Sequence, residues 1–338
     1  MSTRLDRLNS RRVDDYVANA KLQNEVYRRI SNTDSVRYVI GSMQPIDPEY
    51  TKNTYEQGER VCNQLQKRLA TSCDYEYQGS VTNDTHIRAR SDIDVLVITQ
   101  DFETLERPQA PSNPYQGDPI QDLIDLRQDA VTCLSDAFPE ANIDSSGSKS
   151  IAIDGGSLRR KIDVVPANWY NTNLYAEHKN KVFRGVQILD AEAKARLKNT
   201  PFFHNALINM ADSKCNGGLR KAARLMKSLK YDSDNVDLSS YDIVSIAYNI
   251  PQDKLNVPFG GDLQILDVCF EYCFRLYQDE SLRSSIEVPD GHRKVFTEGH
   301  ATLKGLVELT LELKQLLDDV LKENERSFTK LAEARVEY

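Results

Sequence analysis

The side chains best suited to chemistry in this sequence are three aspartates that lie in or beside predicted β-strands. Asp92 and Asp94 stand two positions apart in the apolar, β-branched run 91–98, which is typical of a strand entering the core. Side chains two apart on a strand share one face, so both carboxylates point the same way. Asp163 lies in a second apolar run, 161–165. Neighbouring strands would bring all three acids together.

Three carboxylates at close range repel one another and raise one another's pKa, a cost that cations offset. Mg²⁺ prefers hard oxygen ligands, and two ions roughly 3.5–4 Å apart clamp the attacking and leaving oxygens of an in-line displacement. Upstream, Gly79 lets the backbone approach a phosphate closely, and Ser80 offers a hydroxyl and a backbone N–H. A D-x-D pair or a Gly-Ser turn alone is weak evidence of function. Their combination with a third acid on a second strand indicates nucleotidyl transfer.

A second group of candidate residues lies on a predicted amphipathic helix over 218–230. At about 100° per residue, Arg220, Arg224 and Lys227 form one narrow stripe opposite an apolar face. Such a stripe is usually a solvated basic face. Between residues 214 and 230, however, the sequence has no acid that could form i,i+4 ion pairs. The stripe therefore favours an anionic ligand and is predicted to bind nucleotide.

Four segments together resemble the CD-NTases, the bacterial cyclic-oligonucleotide synthases related to animal cyclic GMP-AMP synthase and oligoadenylate synthase. They are GSVTNDTHIRARSDIDVLVI (79–98), RKIDVVPA (160–167), RLMKSLK (224–230) and LSSYDIVSIAY (238–248). The match in order and spacing runs from about residue 55 to about residue 320. The D-x-D core is shared by all polymerase-β-like nucleotidyltransferases, and the segments of the second half narrow the choice.

The resemblance implies that Asp92, Asp94 and Asp163 bind two Mg²⁺ ions, with Mn²⁺ as an alternative. Asp163 would serve the ion that activates the attacking 3′ hydroxyl. Gly79 and Ser80 would contact the donor phosphates.

On the second lobe, the resemblance implies that Lys227 and Ser240 hold the triphosphate and that Tyr241 stacks on the donor base. ATP and other ribonucleoside triphosphates would be the substrates, the product a cyclic di- or trinucleotide, and a nucleotide-activated effector in phage defence the downstream partner. We match no residue that reads the acceptor base, so the bases used stay open.

The predicted fold class is α+β, with a polymerase-β-like lobe built on a helix-backed mixed sheet, a helical lobe, and the active site in the cleft between them. The predicted boundary separates residues 1–170, the catalytic lobe with an N-terminal helix, from residues 171–338. Apolar spacing predicts helices over 11–31, 51–69, 123–138, 240–248, 263–277 and 301–331, a strand at 75–78, and a hairpin joining strands 149–153 and 160–165.

Composition favours a cytoplasmic enzyme. The chain has 338 residues and 40% hydrophobic content, without an apolar run long enough to span a membrane, and residues 1–16 are too charged for a signal peptide. Its six cysteines form no C-x-x-C pair and are predicted to be reduced thiols. A net charge of −8 argues against an extended nucleic-acid-binding surface but is compatible with small nucleotides.

Three alternative functions use the same fold. A template-independent RNA-tailing polymerase would need a basic path for RNA, which the acidic balance disfavours. An enzyme that nucleotidylates a protein or a small molecule would use the same acids. A non-catalytic binding protein is disfavoured because all three acids, Ser80 and Lys227 are present.

Overall fold

A computed structural model describes residues 3–13 and 33–336, with side chains described up to residue 323. Its contacts divide the chain into two compact units. One comprises residues 47–84 and 90–207, and the other comprises residues 1–46, 85–89 and 208–338. We call them the sheet unit and the helical unit.

The sheet unit contains seven strands in the described part of the chain. Their bounds are β1 Cys73–Gln78, β2 Ile93–Leu105, β3 Ala141–Asp144, β4 Ile151–Gly155, β5 Ile162–Asn171, β6 Arg184–Asp190 and β7 Ala195–Asn199. The order is β1-β2-β5-β4-β3, and β6 pairs with both β5 and β7. The β2–β5 pair is parallel and the other pairs are antiparallel, so the sheet is mixed.

Two helices cover one face of this sheet. They are α3, Pro48–Arg68, and α4, Pro119–Ala137, and each begins with a proline preceded by an aspartate that caps the first turn. Apolar side chains of both helices share one buried core with alternate residues of β2, β4 and β5. The residues of β2 and β5 that point to the opposite face, such as Leu96 and Ala167, pack in a second core with Trp169. The apolar runs of β2 and β5 are continuous because both faces of the central strands are buried.

The helical unit is built around one core to which several helices contribute. The remaining helices of the described chain are α1 Arg4–Arg12, α2 Asp34–Met43, α5 Asn173–His178, α6 Pro201–Lys214, α7 Gly218–Asp232, α8 Ser240–Tyr248, α9 Gln252–Leu255, α10 Leu263–Gln278, α11 Glu280–Ser285 and α12 Leu303–Val336. Of these, α5 and the first residues of α6 belong to the sheet unit. The central helix of the helical unit is α7, whose aliphatic residues are fully buried. No helix in the described ranges is both long enough and apolar enough to cross a membrane.

Most of the helices and strands predicted from the sequence are present in the structure. The predicted helices over 51–69, 123–138, 240–248, 263–277 and 301–331, the strand at 75–78 and the β4–β5 hairpin are confirmed within a few residues, except that β5 continues past the predicted end at residue 165 to Asn171. The helix predicted over 11–31 lies largely outside the described residues, and α1 ends at Arg12. All six cysteines are free.

The contact-based units differ from the predicted boundary at residue 170 in two places. Strands β6 and β7 continue the sheet beyond that boundary, because β6 pairs with the second half of β5. Helices α1 and α2 belong to the helical unit, where Leu8 and Val39 are part of its core.

Candidate active site

Parallel pairing of β2 with β5 brings two of the three predicted acids side by side. Asp94 is the direct partner of Asp163 in the register, and Ile93 pairs with Ile162. Asp92 immediately precedes β2. Buried residues on both sides of each acid fix the register, because a slip of one position would turn the apolar set outward. The predicted adjacency of the two strands is therefore confirmed.

The electrostatics of this pair are those of crowded carboxylates. Burial raises the pKa of Asp94 to about 7, and the charges of Asp163 and Asp92 add to the rise. Burial also raises the pKa of Asp163, where the ammonium group of Lys161 opposes the effect. Active sites are places where burial and neighbouring like charges are combined in this way to raise carboxylate pKa values.

Lys161 is a residue of this site that was not predicted from the sequence. Its Nζ lies 3.2 Å from Oδ2 of Asp163. Burial lowers the pKa of Lys161, but Asp163 and the other two aspartates raise it on balance. A signal was present in the sequence, because Lys161 stands two positions before Asp163 and alternation places both on one face.

Gly79 lies against the Asp94 carboxylate, directly after the last residue of β1. Its φ is +90°, and a Cβ at this position would stand 2.5 Å from Oδ2 of Asp94. Gln78, one residue earlier, is the register partner of Asp94. Glycine is thus required here both by its backbone conformation and by its close approach to a site carboxylate. Ser80 follows it in the turn.

The acids fit a hard divalent cation by their chemistry, as carboxylate oxygens beside one another on two strands. Within the described residues, no three His, Cys, Asp or Glu side chains already surround a common metal position. Oδ2 of Asp163 makes the ion pair with Lys161 instead. A bound cation would offset both the burial and the like charges that raise the pKa of Asp94.

The predicted cationic stripe on α7 has partners within the helical unit. Nη1 of Arg220 lies 2.6 Å from Oδ2 of Asp212, and its backbone N–H donates to the same carboxylate at 2.9 Å. Arg220 also donates to the side chain of Asn209. The acid that relieves this end of the stripe is thus Asp212 on the preceding helix, α6, just before the acid-free segment 214–230.

Arg224 and Lys227 are buried, with 4% and 5% of their surface exposed. Nε of Arg224 donates to the carbonyl of Met43 at 2.8 Å, and Nζ of Lys227 donates to the carbonyl of Thr85 at 2.6 Å. Burial lowers the pKa of Lys227 to about 7, helped by the positive charges of Arg88, Lys230 and Arg224. Both side chains are buried rather than exposed to solvent, and their contact with a nucleotide stays a prediction. Both bind backbone carbonyls within their own unit.

Ser240 and Tyr241 begin helix α8. Ser240 is exposed, and the side chain that caps the helix is that of the preceding residue, Ser239, which accepts from the N–H of Asp242. The Tyr241 ring lies 5.3 Å from the guanidinium carbon of Arg293 and 6.5 Å from the ring centroid of His292. Beside the ring, the charge of Arg293 is paired with the carboxylate of Asp242 at 2.7 Å.

Similar proteins are found both by sequence and by structure. The chain is 37% identical over 294 residues to the cyclic dinucleotide synthase CdnE of Yersinia aleksiciae, covering 86% of this chain and 77% of that protein. It is 31% identical over 332 residues to a c-di-GMP synthase of a Lachnospiraceae bacterium, covering 90% of this chain and 92% of that protein. No protein-family model matches the chain.

Among solved structures, the STING-associated CdnE c-di-GMP synthase of Capnocytophaga granulosa superposes with a TM-score of 0.78 at 28% sequence identity. The superposition covers 95% of this chain and 98% of that one. The predicted α+β fold class, with a mixed sheet and a helical part, is confirmed.

Proposed function

The chain belongs to the CD-NTase family, and from this premise we propose that it joins two ribonucleoside triphosphates into a cyclic dinucleotide with release of pyrophosphate. It is a nucleotidyltransferase with a polymerase-β-like fold, related to cyclic dinucleotide synthases. Metal dependence, product identity and the roles of individual residues are the parts that we propose.

Asp92, Asp94 and Asp163 hold two divalent cations, Mg²⁺ or Mn²⁺, in this proposal. Bound there, the cations would neutralise charge on the donor phosphates and lower the pKa of the attacking 3′ hydroxyl. Gly79 leaves room for the donor phosphates next to Asp94, where a Cβ would stand 2.5 Å from the carboxylate. The Ser80 hydroxyl and backbone N–H are donors for a phosphate oxygen.

The observation that carries the proposal is the register of β2 and β5. Asp94 and Asp163 are direct neighbours in the parallel pair, and the pKa of Asp94 is raised to about 7 by burial and by the other two acids. Such a pair is unfavourable as an unliganded element of a fold. It becomes favourable when a divalent cation is bound between the carboxylates.

We propose a dinucleotide rather than a longer ring because the two relatives described above are named for dinucleotides. Relatives named c-di-GMP synthases at 31% and 30% identity make GTP the first substrate to test. ATP and the pyrimidine triphosphates are the other donors in the same assay. A nucleotide-activated effector, acting in antiphage defence, is the proposed downstream partner, and the STING-associated relative supports this choice.

The test is to incubate the protein with GTP, ATP, CTP and UTP, singly and mixed, with Mg²⁺, and to resolve the products by mass before and after phosphatase treatment. Wild-type protein should give a phosphatase-resistant dinucleotide, and Asp163→Asn should give none. Asp101→Asn is the matched control, because Asp101 is an exposed aspartate on the same strand as Asp94. A ladder of linear, phosphatase-sensitive chains would instead identify an RNA-tailing enzyme, and labelled protein would identify nucleotidylation of a protein.

A further inference from the structure

The Gly79-Ser80 turn is held by a relay of two hydrogen bonds, and the side chains that donate them, Asn205 and Thr82, are not among the proposed site residues. Nδ2 of Asn205, in the first half of α6, donates to Oγ1 of Thr82 at 2.9 Å. The Thr82 hydroxyl in turn donates to the carbonyl oxygen of Gly79 at 2.8 Å. The backbone N–H of Thr82 reaches the same carbonyl at 3.2 Å. All three residues belong to the sheet unit.

Both hydrogen bonds of this relay are donated in the same direction, from Asn205 towards Gly79. Thr82 has a single hydroxyl proton, which goes to Gly79, and its oxygen accepts from Asn205. Hydrogen bonds aligned in this way polarise one another, so the second strengthens the first. The Asn205 side chain therefore acts on Gly79 through Thr82.

The relay ends at Gly79, which lies against the Asp94 carboxylate. Gly79 has a φ of +90°, and its Cα faces Oδ2 of Asp94 at a distance that would not accommodate a Cβ. Movement of the Gly79 peptide would therefore disturb the Asp94 carboxylate and the turn that carries Ser80 together.

We propose that Thr82 and Asn205 are positioning residues for the donor triphosphate. Their relay fixes the Gly79 carbonyl, so that the N–H groups of the turn stay directed at the phosphates while Gly79 stays against Asp94. This inference rests on the proposed function for the identity of the ligand. Neither residue needs to contact the nucleotide.

The test measures the affinity for non-hydrolysable GTP and ATP analogues with Mg²⁺ by calorimetry, together with KM and kcat. Thr82→Val keeps the shape and removes the hydroxyl, and should weaken analogue binding about fivefold, as for the loss of one net hydrogen bond. Thr82→Ser should bind as wild type does. Asn205→Leu should weaken binding about twofold.

The double variant separates a relay from two independent structural effects. Asn205→Leu should have no further effect in the Thr82→Val background, because its action passes through the hydroxyl that is missing there. Thr132→Val is the matched control: this exposed threonine on α4 donates to the Gln128 carbonyl at 3.1 Å. It should leave binding and turnover unchanged.

Two results would overturn the relay: wild-type affinity in Thr82→Val, or losses that multiply in the double variant. Failure of the proposed function has a different signature. In that case, the wild-type protein would bind the analogues with the pattern above but release no cyclic product from any triphosphate. Wild-type protein that binds no analogue would refute both.

Discussion

Asp94→Asn should stabilise the protein in the absence of divalent cations while abolishing synthesis. In the folded state, burial and the charges of Asp163 and Asp92 raise the pKa of Asp94 from 3.8 to about 7. At about 1.4 kcal/mol for each pKa unit, the ionised carboxylate costs about 4 kcal/mol of folding free energy above pH 7. The amide carries no charge and makes no such contribution.

The sign of the pH dependence follows from proton binding. Between pH 4 and pH 7 the folded state keeps the Asp94 proton that the unfolded state has lost, so wild-type stability falls as the pH rises through this window. The variant lacks this titration. Its advantage in unfolding free energy should therefore grow by about 2.5 kcal/mol from pH 5 to pH 8.

The assay is urea unfolding of wild type, Asp94→Asn and the exposed-site control Asp101→Asn at pH 5, 6, 7 and 8, in EDTA and again in Mg²⁺. Mg²⁺ should raise the stability of wild type and of the control but hardly that of Asp94→Asn, since binding to the folded state alone stabilises it. The reasoning is refuted if, in EDTA, the stability curves of wild type and Asp94→Asn run parallel with pH.

Two further predictions rest on the surroundings of Gly79 and Lys227, and a third rests on the size of the proposed substrates. Gly79→Ala should abolish turnover and weaken donor binding, because the added Cβ would meet the Asp94 carboxylate. Gly155 has a similar φ of +84° with open space around it, so Gly155→Ala should lose only stability, about 1–2 kcal/mol. Donor titration and thermal melting of both variants check this. Lys227→Met should be more stable than wild type, by a margin that shrinks by about 3 kcal/mol from pH 6 to pH 9. Burial lowers the pKa of Lys227 to about 7 in the folded state, so the cost of burying its charge falls as the pH rises. Urea unfolding at both pH values measures the margin, and a constant margin would contradict the prediction. Synthesis should fall with salt less steeply than for an enzyme that grips many phosphates, because the salt slope scales with the number of phosphates that the protein neutralises and each proposed substrate is a single nucleotide. Initial rates from 50 to 300 mM KCl test this, and a slope typical of six or more phosphate contacts would count against a compact nucleotide site.

The strand pair that holds the acids could be predicted because its signal is local. Each acid stands among apolar residues whose types and alternation define a buried strand, and the sequence distance between the two strands leaves room for the helix α4 that covers them. Parallel neighbours joined by a helical crossover are the ordinary outcome of such a pattern. From the sequence, Gly79 was predicted to let the backbone approach a phosphate, but its close approach to Asp94 was not predicted.

The hairpin of β6 and β7 could not be recognised in the same way. Its burial is mixed, with exposed or half-buried residues over most of β7, and its strands are short. The pairing that makes it part of the sheet comes from the second half of β5, which is longer than its apolar pattern suggested. Tertiary context, rather than local preference, makes these residues a strand pair.

The stripe on α7 shows where helical periodicity is insufficient. The apolar side was predicted correctly, since Ala222, Leu225, Met226 and Leu229 are fully buried. The opposite side of the helix is also covered, because the carbonyls of Met43 and Thr85 lie against it. A helical wheel assigns faces but does not say what lies against each one, and both of these partners are more than 130 residues away in sequence.

The contact between Lys227 and Thr85 links the proposed triphosphate role of this lysine to the path of the chain between Ser80 and Asp92. Residues 85–89 of that path belong to the helical unit, where the Ala89 N–H also donates to the carbonyl of Arg11 at 2.9 Å. To contact a phosphate, the Lys227 ammonium must exchange the Thr85 carbonyl for the ligand or share its protons between them, as its three donors permit. A pKa of about 7 favours such an exchange energetically, because a nearby phosphate would restore the charge that burial suppresses. Loss of activity in a Lys227 variant therefore reports on the loop as well as on the nucleotide, and only a direct measurement of donor affinity assigns it to the phosphates.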